Sequence, residues 1–289
     1  AKAIANGACI EEDVWELFVT KRPNPDVLPI AVVLTIPAAG SEASKNTVIS
    51  NDELGMKTGY GNDAQRPKLA FLNPELTFTL PEYQTAAGIT DMFAHLFERF
   101  FDDLGAVPVT DNLNLSLMKT VRAEAPRVLT EPENYDARAN IMWAGMVCHN
   151  DMMGVGRKQD WNSHHLEHVM SAVYDCAHGA GLSVIMPAWM TYCIEHSDAK
   201  RFTQLAVKVF GCQLDVDDPK RTAREGVEAF KNLMREFNMP LTFAEIGADP
   251  NDIEKLVEMN GVGDGVTGGY VGLTSDAIRE IYQIAAGLR

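Results

Sequence analysis

Six of the seven histidines fall between positions 95 and 178, and several sit at spacings that a metal ion could use. Asp91-Met92-Phe93-Ala94-His95 places a carboxylate and an imidazole four residues apart. On a helix that is about 40° around the axis and one turn along it, so both groups can reach one point beside the helix. His164 and His168 repeat the spacing on a second segment. His178 lies fourteen positions beyond His164, which would be roughly 21 Å along an unbroken helix and out of reach of a shared ion. Tyr174-Asp175-Cys176-Ala177-His178-Gly179-Ala180-Gly181 breaks that helix, and a loop there can fold His178 back toward His164. Spacing alone leaves His164, His165 and His168 open as alternatives. A D-x3-H on a helix is commonplace by itself; both pairs plus a loop histidine in one helical region make the case. One carboxylate oxygen with two or three imidazoles suits Fe²⁺, Zn²⁺ or a related divalent ion. Lacking a thiolate ligand and leaving room for substrate, such a set is of the catalytic rather than the structural kind.

The elements that must carry these residues divide the chain in two. Leu28 to Ile36 is a Val/Ile-rich run bracketed by prolines, as expected of a parallel strand buried on both faces. It leads into Pro37-Ala38-Ala39-Gly40-Ser41-Glu42, where an α/β sheet would place a ligand-binding loop. Thr47-Val48-Ile49 and Leu69-Ala70-Phe71-Leu72 read as two further short strands. From Pro81 onward the pattern is helical, with Pro81 and Glu82 suited to a first turn and Thr274 or Ser275 placed to cap the last helix. The expected helices cover Ala86 to Phe101, Arg138 to Cys148, His164 to Val173, Gly181 to Cys193, Ala199 to Phe210, Ala223 to Phe237, Ile253 to Met259 and Ser275 to Ala286. An α/β segment over residues 1–80 followed by an all-helical domain over 81–289 is therefore expected.

Composition narrows the partners. The 289 residues carry a formal net charge of −15, which argues against DNA, RNA or an anionic membrane surface as a partner. No run of about 18 uninterrupted apolar residues is present to span a membrane, and Ala1 to Gly7 lack the layout of a secretion signal. Five scattered cysteines without CxxC spacing read as reduced thiols of a cytoplasmic protein.

The motifs resemble those of the iron-type, metal-dependent alcohol dehydrogenases. Gly88-Ile89-Thr90-Asp91-Met92-Phe93-Ala94-His95 is similar to that family's G-x-x-D-x-x-x-H segment, and His164-His165-Leu166-Glu167-His168 through Ala177-His178-Gly179 to its H-x3-H-x9-H-G segment. Leu34 to Glu42 resembles its T-x-P-x-T-G-S-E loop, and Glu131-Pro132-Glu133-Asn134-Tyr135-Asp136-Ala137-Arg138-Ala139-Asn140 is similar to a butanol-dehydrogenase-like branch. The likeness implies metal ligation by Asp91, His95, His164 and His178, with His168 near the nicotinamide and substrate and His165 outside the motif. It implies that Thr35, Ser41, Lys57 and Leu76 line an NAD or NADP cofactor. Two departures stand out. Ala39 replaces a threonine of the loop, and Ala1-Lys2-Ala3-Ile4-Ala5 resembles the tail of a glycine-rich diphosphate segment. Residues 1–80 are then expected to be the later part of a Rossmann-like dinucleotide-binding domain whose earlier part is missing, leaving the fragment inactive alone.

The chemistry implied is hydride transfer between a nicotinamide and a carbonyl carbon, with the metal polarising the aldehyde oxygen and His168 as the proton relay. Small aldehydes or primary alcohols are the implied substrates and a homodimer the expected assembly. The residues also admit two other readings. One keeps the scaffold with glycerol dehydrogenase or dehydroquinate synthase chemistry; the other is a helical metal-binding or hydrolase domain without nicotinamide, for which the Thr35 to Glu42 loop would be unnecessary.

Overall fold

The computed structural model describes residues 1–102 and 104–289. The first part holds two short helices, α1 (Lys2–Gly7) and α2 (Trp15–Thr20), and four strands, β1 (Ala31–Val33), β2 (Asn46–Asn51), β3 (Met56–Gly61) and β4 (Leu69–Phe71). From Glu82 the described residues are helical: α3 (Glu82–Phe100), α4 (Pro108–Thr130), α5 (Tyr135–His149), α6 (Asn162–Tyr174), α7 (His178–Glu195), α8 (Lys200–Leu205), α9 (Pro219–Glu236), α10 (Ile253–Met259) and α11 (Ser275–Ala285). Among them the only β pairing is an isolated bridge between Thr267 and Leu273. No described helix is long and apolar enough to cross a membrane.

Strands β1 to β4 all precede residue 80 and helices α3 to α11 follow it, but the strands differ from expectation. The run from Leu28 to Ile36 contributes only three strand residues, paired in parallel with β4. It is not buried on both faces: Val33, Leu69 and Phe71 are each more than half exposed, and among the described residues β1 and β4 pair only with each other in a sheet of two strands. The other pair, β2 and β3, is antiparallel. Strand β3 escapes sequence reading because Met56-Lys57-Thr58-Gly59-Tyr60-Gly61 has two glycines and no clean alternation.

In the helical part, α3 is buried without interruption from Thr85 to Phe100. Such all-round burial marks a central core helix. Helix α7 is buried along most of its length too, and α3 packs on α4, α5 and α7 while α6, α9 and α11 also pack on α7. Two rings, Phe93 and Phe97, meet Phe230 of α9 in edge-on contacts. Helix α4 was not anticipated. Its inward face begins with Thr110, Asp111 and Asn114 before reaching Leu115, Met118 and Val121, so polar residues interrupt the apolar stripe. Those residues have partners: Asn114 donates to the Met153 carbonyl, and Asp111 pairs with Arg157 and Arg201. Helix α8 stops at Leu205 and continues as a π-turn, Ala206–Phe210. Thr274 caps α11, its hydroxyl accepting from the Ala277 N–H. The break before His178 is shorter than expected. Asp175 ends α6 in a left-handed conformation, and His178 is already the first residue of α7.

Candidate metal centre and cofactor wall

Helix α3 supplies the first two groups of the site. Asp91 and His95 lie one turn apart and both are almost fully buried. Two glycines allow the surrounding elements to close on them. A Cβ at Gly88 would lie 2.5 Å from the Pro37 carbonyl oxygen, so α3 presses against the loop that follows β1. A Cβ at Gly179 would lie 2.0 Å from the Ala87 carbonyl oxygen, so the first turn of α7 sits directly on α3. That contact brings His178 to Asp91, while α6 brings His164. Three imidazole nitrogens thereby surround one oxygen: Asp91 Oδ1 is 3.5 Å from His95 Nδ1, 3.6 Å from His164 Nε2 and 3.6 Å from His178 Nε2. Asp91 Oδ1, His95 Nδ1 and His164 Nε2 are buried without a hydrogen-bond partner. Orphaned polar atoms of this kind are costly in a folded interior unless something further satisfies them. A carboxylate oxygen and three imidazoles converging in this way fit a divalent cation.

The outer nitrogens of the histidines are also occupied. His164 Nδ1 lies 3.0 Å from Glu98 Oε1, which also accepts from the His164 backbone N–H. His178 Nδ1 contacts Glu167 Oε2. Carboxylates behind ligating imidazoles fix the ring orientation and the tautomer. Sequence reading missed both glutamates, although Glu98 was accessible to it, lying seven residues beyond Asp91 on the same helix face.

Charge in the site follows from burial and these neighbours. Burial raises the Asp91 carboxyl, but His164 and His178 outweigh it and hold the group below its ordinary value. Burial opposes a charge on His164, yet Glu98 and Asp91 push it up to about 9. His95 is driven well below its usual value by burial and by its cationic neighbours. His149, which sequence reading did not consider, is lowered to about 3 by burial and by Arg99. Its ring lies 4.1 Å from that of His95, and its Nδ1 accepts from the Arg99 guanidinium at 3.2 Å.

These groups line one side of a cavity of about 760 Å³. The opposite side is formed by Ala39, Ser41 and residues of the β2–β3 hairpin, including Lys57. The hairpin is tied down by Lys57, whose ammonium donates to Ser171 Oγ at 2.8 Å and lies 4.0 Å from Glu167. Of the four residues expected beside a cofactor, Ser41 and Lys57 line this cavity. Thr35 and Leu76 do not; they are exposed, Thr35 just beyond β1 and Leu76 in the turn Pro74–Thr77 beyond β4. Ala39, where a hydroxyl was expected, faces the cavity without one. His168 lines the cavity one turn beyond His164, its ring 5.3 Å from that of His178, and burial together with His178 and His164 keeps it neutral. His165 also borders the cavity but is exposed and lies outside the cluster around Asp91.

Known proteins resemble the chain in sequence and in fold. The C-terminal part of the Fe-containing alcohol dehydrogenase family matches residues 85–286, and iron-containing alcohol dehydrogenase matches residues 1–74. A probable NADH-dependent butanol dehydrogenase 1 of Bacillus subtilis is 33% identical over 280 residues, covering 97% of this chain and 72% of its own length. The NADPH-dependent aldehyde reductase YqhD of Escherichia coli is 31% identical over 290 residues, covering 98% of this chain and 74% of its own length. The crystal structure of NADH-dependent butanol dehydrogenase A from Thermotoga maritima superposes with a TM-score of 0.93 at 34% identity, covering 99% of this chain and 73% of that one. With the histidine cluster, its glutamates and the facing loop all in place, the chain belongs to the iron-containing alcohol dehydrogenase family.

Proposed function

We propose that this protein interconverts aldehydes and primary alcohols by hydride transfer to and from NAD or NADP, with Fe²⁺ or Zn²⁺ held by Asp91, His95, His164 and His178. The observation that carries the reading is the convergence of three imidazoles, from three helices, on the orphaned Asp91 Oδ1. The names of the relatives, butanol dehydrogenases and an aldehyde reductase, support the substrate class. When bound, the ion supplies Lewis acidity at the substrate oxygen.

The remaining tasks fall to the chain itself. Glu98 and Glu167 hold His164 and His178 in the orientation that presents their inner nitrogens. Lys57, held at Ser171, offers a positive charge and a donor to the cofactor's ribose side, and Ser41 faces the same space. Thr35 and Leu76 contact the cofactor at the ends of β1 and β4, where α/β folds take their ligands. Residues 1–80 serve as the nicotinamide edge of a Rossmann-like domain. His168 passes a proton at the substrate oxygen, acting as a neutral imidazole that donates from one ring nitrogen and is resupplied at the other. Five free cysteines fit a reducing, cytoplasmic setting, and a homodimer is the expected assembly, to be checked by light scattering.

A hydrolase without nicotinamide gains little support, because the loop of Ala39 and Ser41 faces the histidine cluster across one cavity. Oxidation of NADH or NADPH on adding butanal to the full protein, followed by loss of absorbance, tests the proposal. Metal-loaded protein that turns over neither cofactor with any short aldehyde would end it.

A further inference from the structure

Among the described residues that line the cavity from the helical part, Trp161 alone carries a large apolar side chain; the others are histidines, aspartates, Arg99 and Gln159. Its indole lies 5.0 Å from the ring of His164 and 5.9 Å from that of His95, so it borders the cluster on the cavity side. We infer that Trp161 determines which carbon chains the enzyme accepts, its ring being the fixed wall along which the aldehyde's tail must pass. The inference rests on the activity proposed above and adds the residue that sets its range.

The wall is fixed by independent contacts. The Arg99 guanidinium sits over the indole, its carbon 4.7 Å from the ring centre. Arg99 is itself immobilised, fully buried and donating to the His95 carbonyl at 3.0 Å. A guanidinium held over an indole face is an attractive contact that strengthens with desolvation. The backbone leading to the ring is clamped as well. Gln159, two residues earlier, has a φ of 62°, a conformation that a non-glycine residue keeps only where its surroundings enforce it. The surroundings do so. The Asp160 N–H donates to the Glu98 carbonyl at 2.8 Å, and the Asp160 carboxylate accepts from the Gly269 and Tyr270 N–H groups at 2.8 and 2.7 Å. An indole pinned at both ring and backbone cannot swing aside for a bulkier substrate. It is therefore a steric limit as well as an apolar surface.

The test compares kcat/KM for a series of aldehydes from ethanal to octanal, plus benzaldehyde, in wild type, Trp161→Phe and Trp161→Ala. A single methylene in an apolar pocket typically changes selectivity by about 10-fold or more. Trp161→Ala should raise the octanal-to-butanal ratio by at least about that factor, with Trp161→Phe between it and wild type and with bound metal unchanged in both. Calorimetric binding of unreactive amides from butanamide to octanamide to the metal-loaded proteins gives a readout independent of turnover, and the same shift toward longer chains is expected. Unchanged length preference in a Trp161→Phe or Trp161→Ala protein that keeps its metal and its melting temperature would overturn the inference. If wild type reduces none of the aldehydes, the proposed activity fails, whereas the amide series still decides whether Trp161 is the wall.

Discussion

The two sides of the cavity are built by different means. On the metal side, Asp91 and His95 belong to a helix buried over sixteen consecutive residues, and His164 and His178 are each backed by a buried glutamate. Across the cavity, Ser41 and Lys57 sit on a loop and a two-stranded hairpin. That hairpin is held to the helices by side-chain tethers such as Lys57 to Ser171 and Asn46 to His149. A metal site tolerates errors of only a few tenths of an ångström in its ligand atoms, so it needs a packed core behind it. A cofactor wall works through many weaker contacts and can stand on thinner structure. Substitutions on the two sides should therefore fail in different ways.

The largest effect is expected at the centre of the metal side. Asp91→Ala or His164→Ala in the full protein should lose bound metal and aldehyde reduction together, measured by elemental analysis alongside steady-state rates. His168→Ala separates the two readouts: kcat should fall by about 10²–10⁴-fold, the usual contribution of general acid–base catalysis, while metal content stays at the wild-type level. Near-normal kcat would leave His168 as a packing residue only. Glu167→Gln removes the partner of His178 Nδ1 and should weaken metal affinity by about 10–100-fold, the range seen when such outer partners are lost; a competition titration with a chelator reads this directly. On the opposite wall, Lys57→Met should leave metal affinity untouched and raise KM for the nicotinamide cofactor. If it loosens the metal instead, the two sides are not separable.

A smaller and pH-dependent effect follows from His164. Raised to about 9 in the metal-free protein, it is protonated at neutral pH, and that proton must leave before the ring can ligate. Apparent Zn²⁺ affinity should therefore climb about tenfold per pH unit between about pH 7 and 9 and then level off. Calorimetric titrations at three pH values check the slope. The same shift affects stability with the opposite sign. A folded value above the unfolded one stabilises the metal-free protein fully below about pH 6.5, and that contribution is lost as pH rises through about 9.

What the sequence disclosed follows the same division. Asp91, His95 and His178 stood out because helical spacing and the break before Gly179 are local properties, whereas spacing left His164, His165 and His168 open and only the family likeness singled out His164. In the structure the rings of His95, His164 and His178 surround Asp91 Oδ1. Strand β3 was hidden by its glycines, so Lys57 was assigned from family likeness and not from a recognised element. Helix α4 was hidden because Thr110, Asp111 and Asn114 face inward, satisfied by partners distant in sequence. Trp161 could not have been singled out at all: its backbone is fixed by Asp160 reaching a loop 109 residues further on. The burial expected of β1 failed for a related reason, since burial of a strand depends on what covers it and not only on its own apolar residues.

Gly179 carries a consequence for the folded state as a whole. Because the start of α7 rests on the Ala87 carbonyl with no space for a side chain, the gap between His178 and Asp91 cannot widen unless the two central helices separate. An ion bound there is therefore a cross-link between α3, α6 and α7, coupled to the cooperative unfolding of the core. By mass action, free metal at 100 times its dissociation constant would add about 2.7 kcal/mol to the stability of the native state. Removing the metal should thus lower the melting temperature of the entire helical region, and the metal supply of the cell becomes one of the quantities that sets how long the protein survives in it.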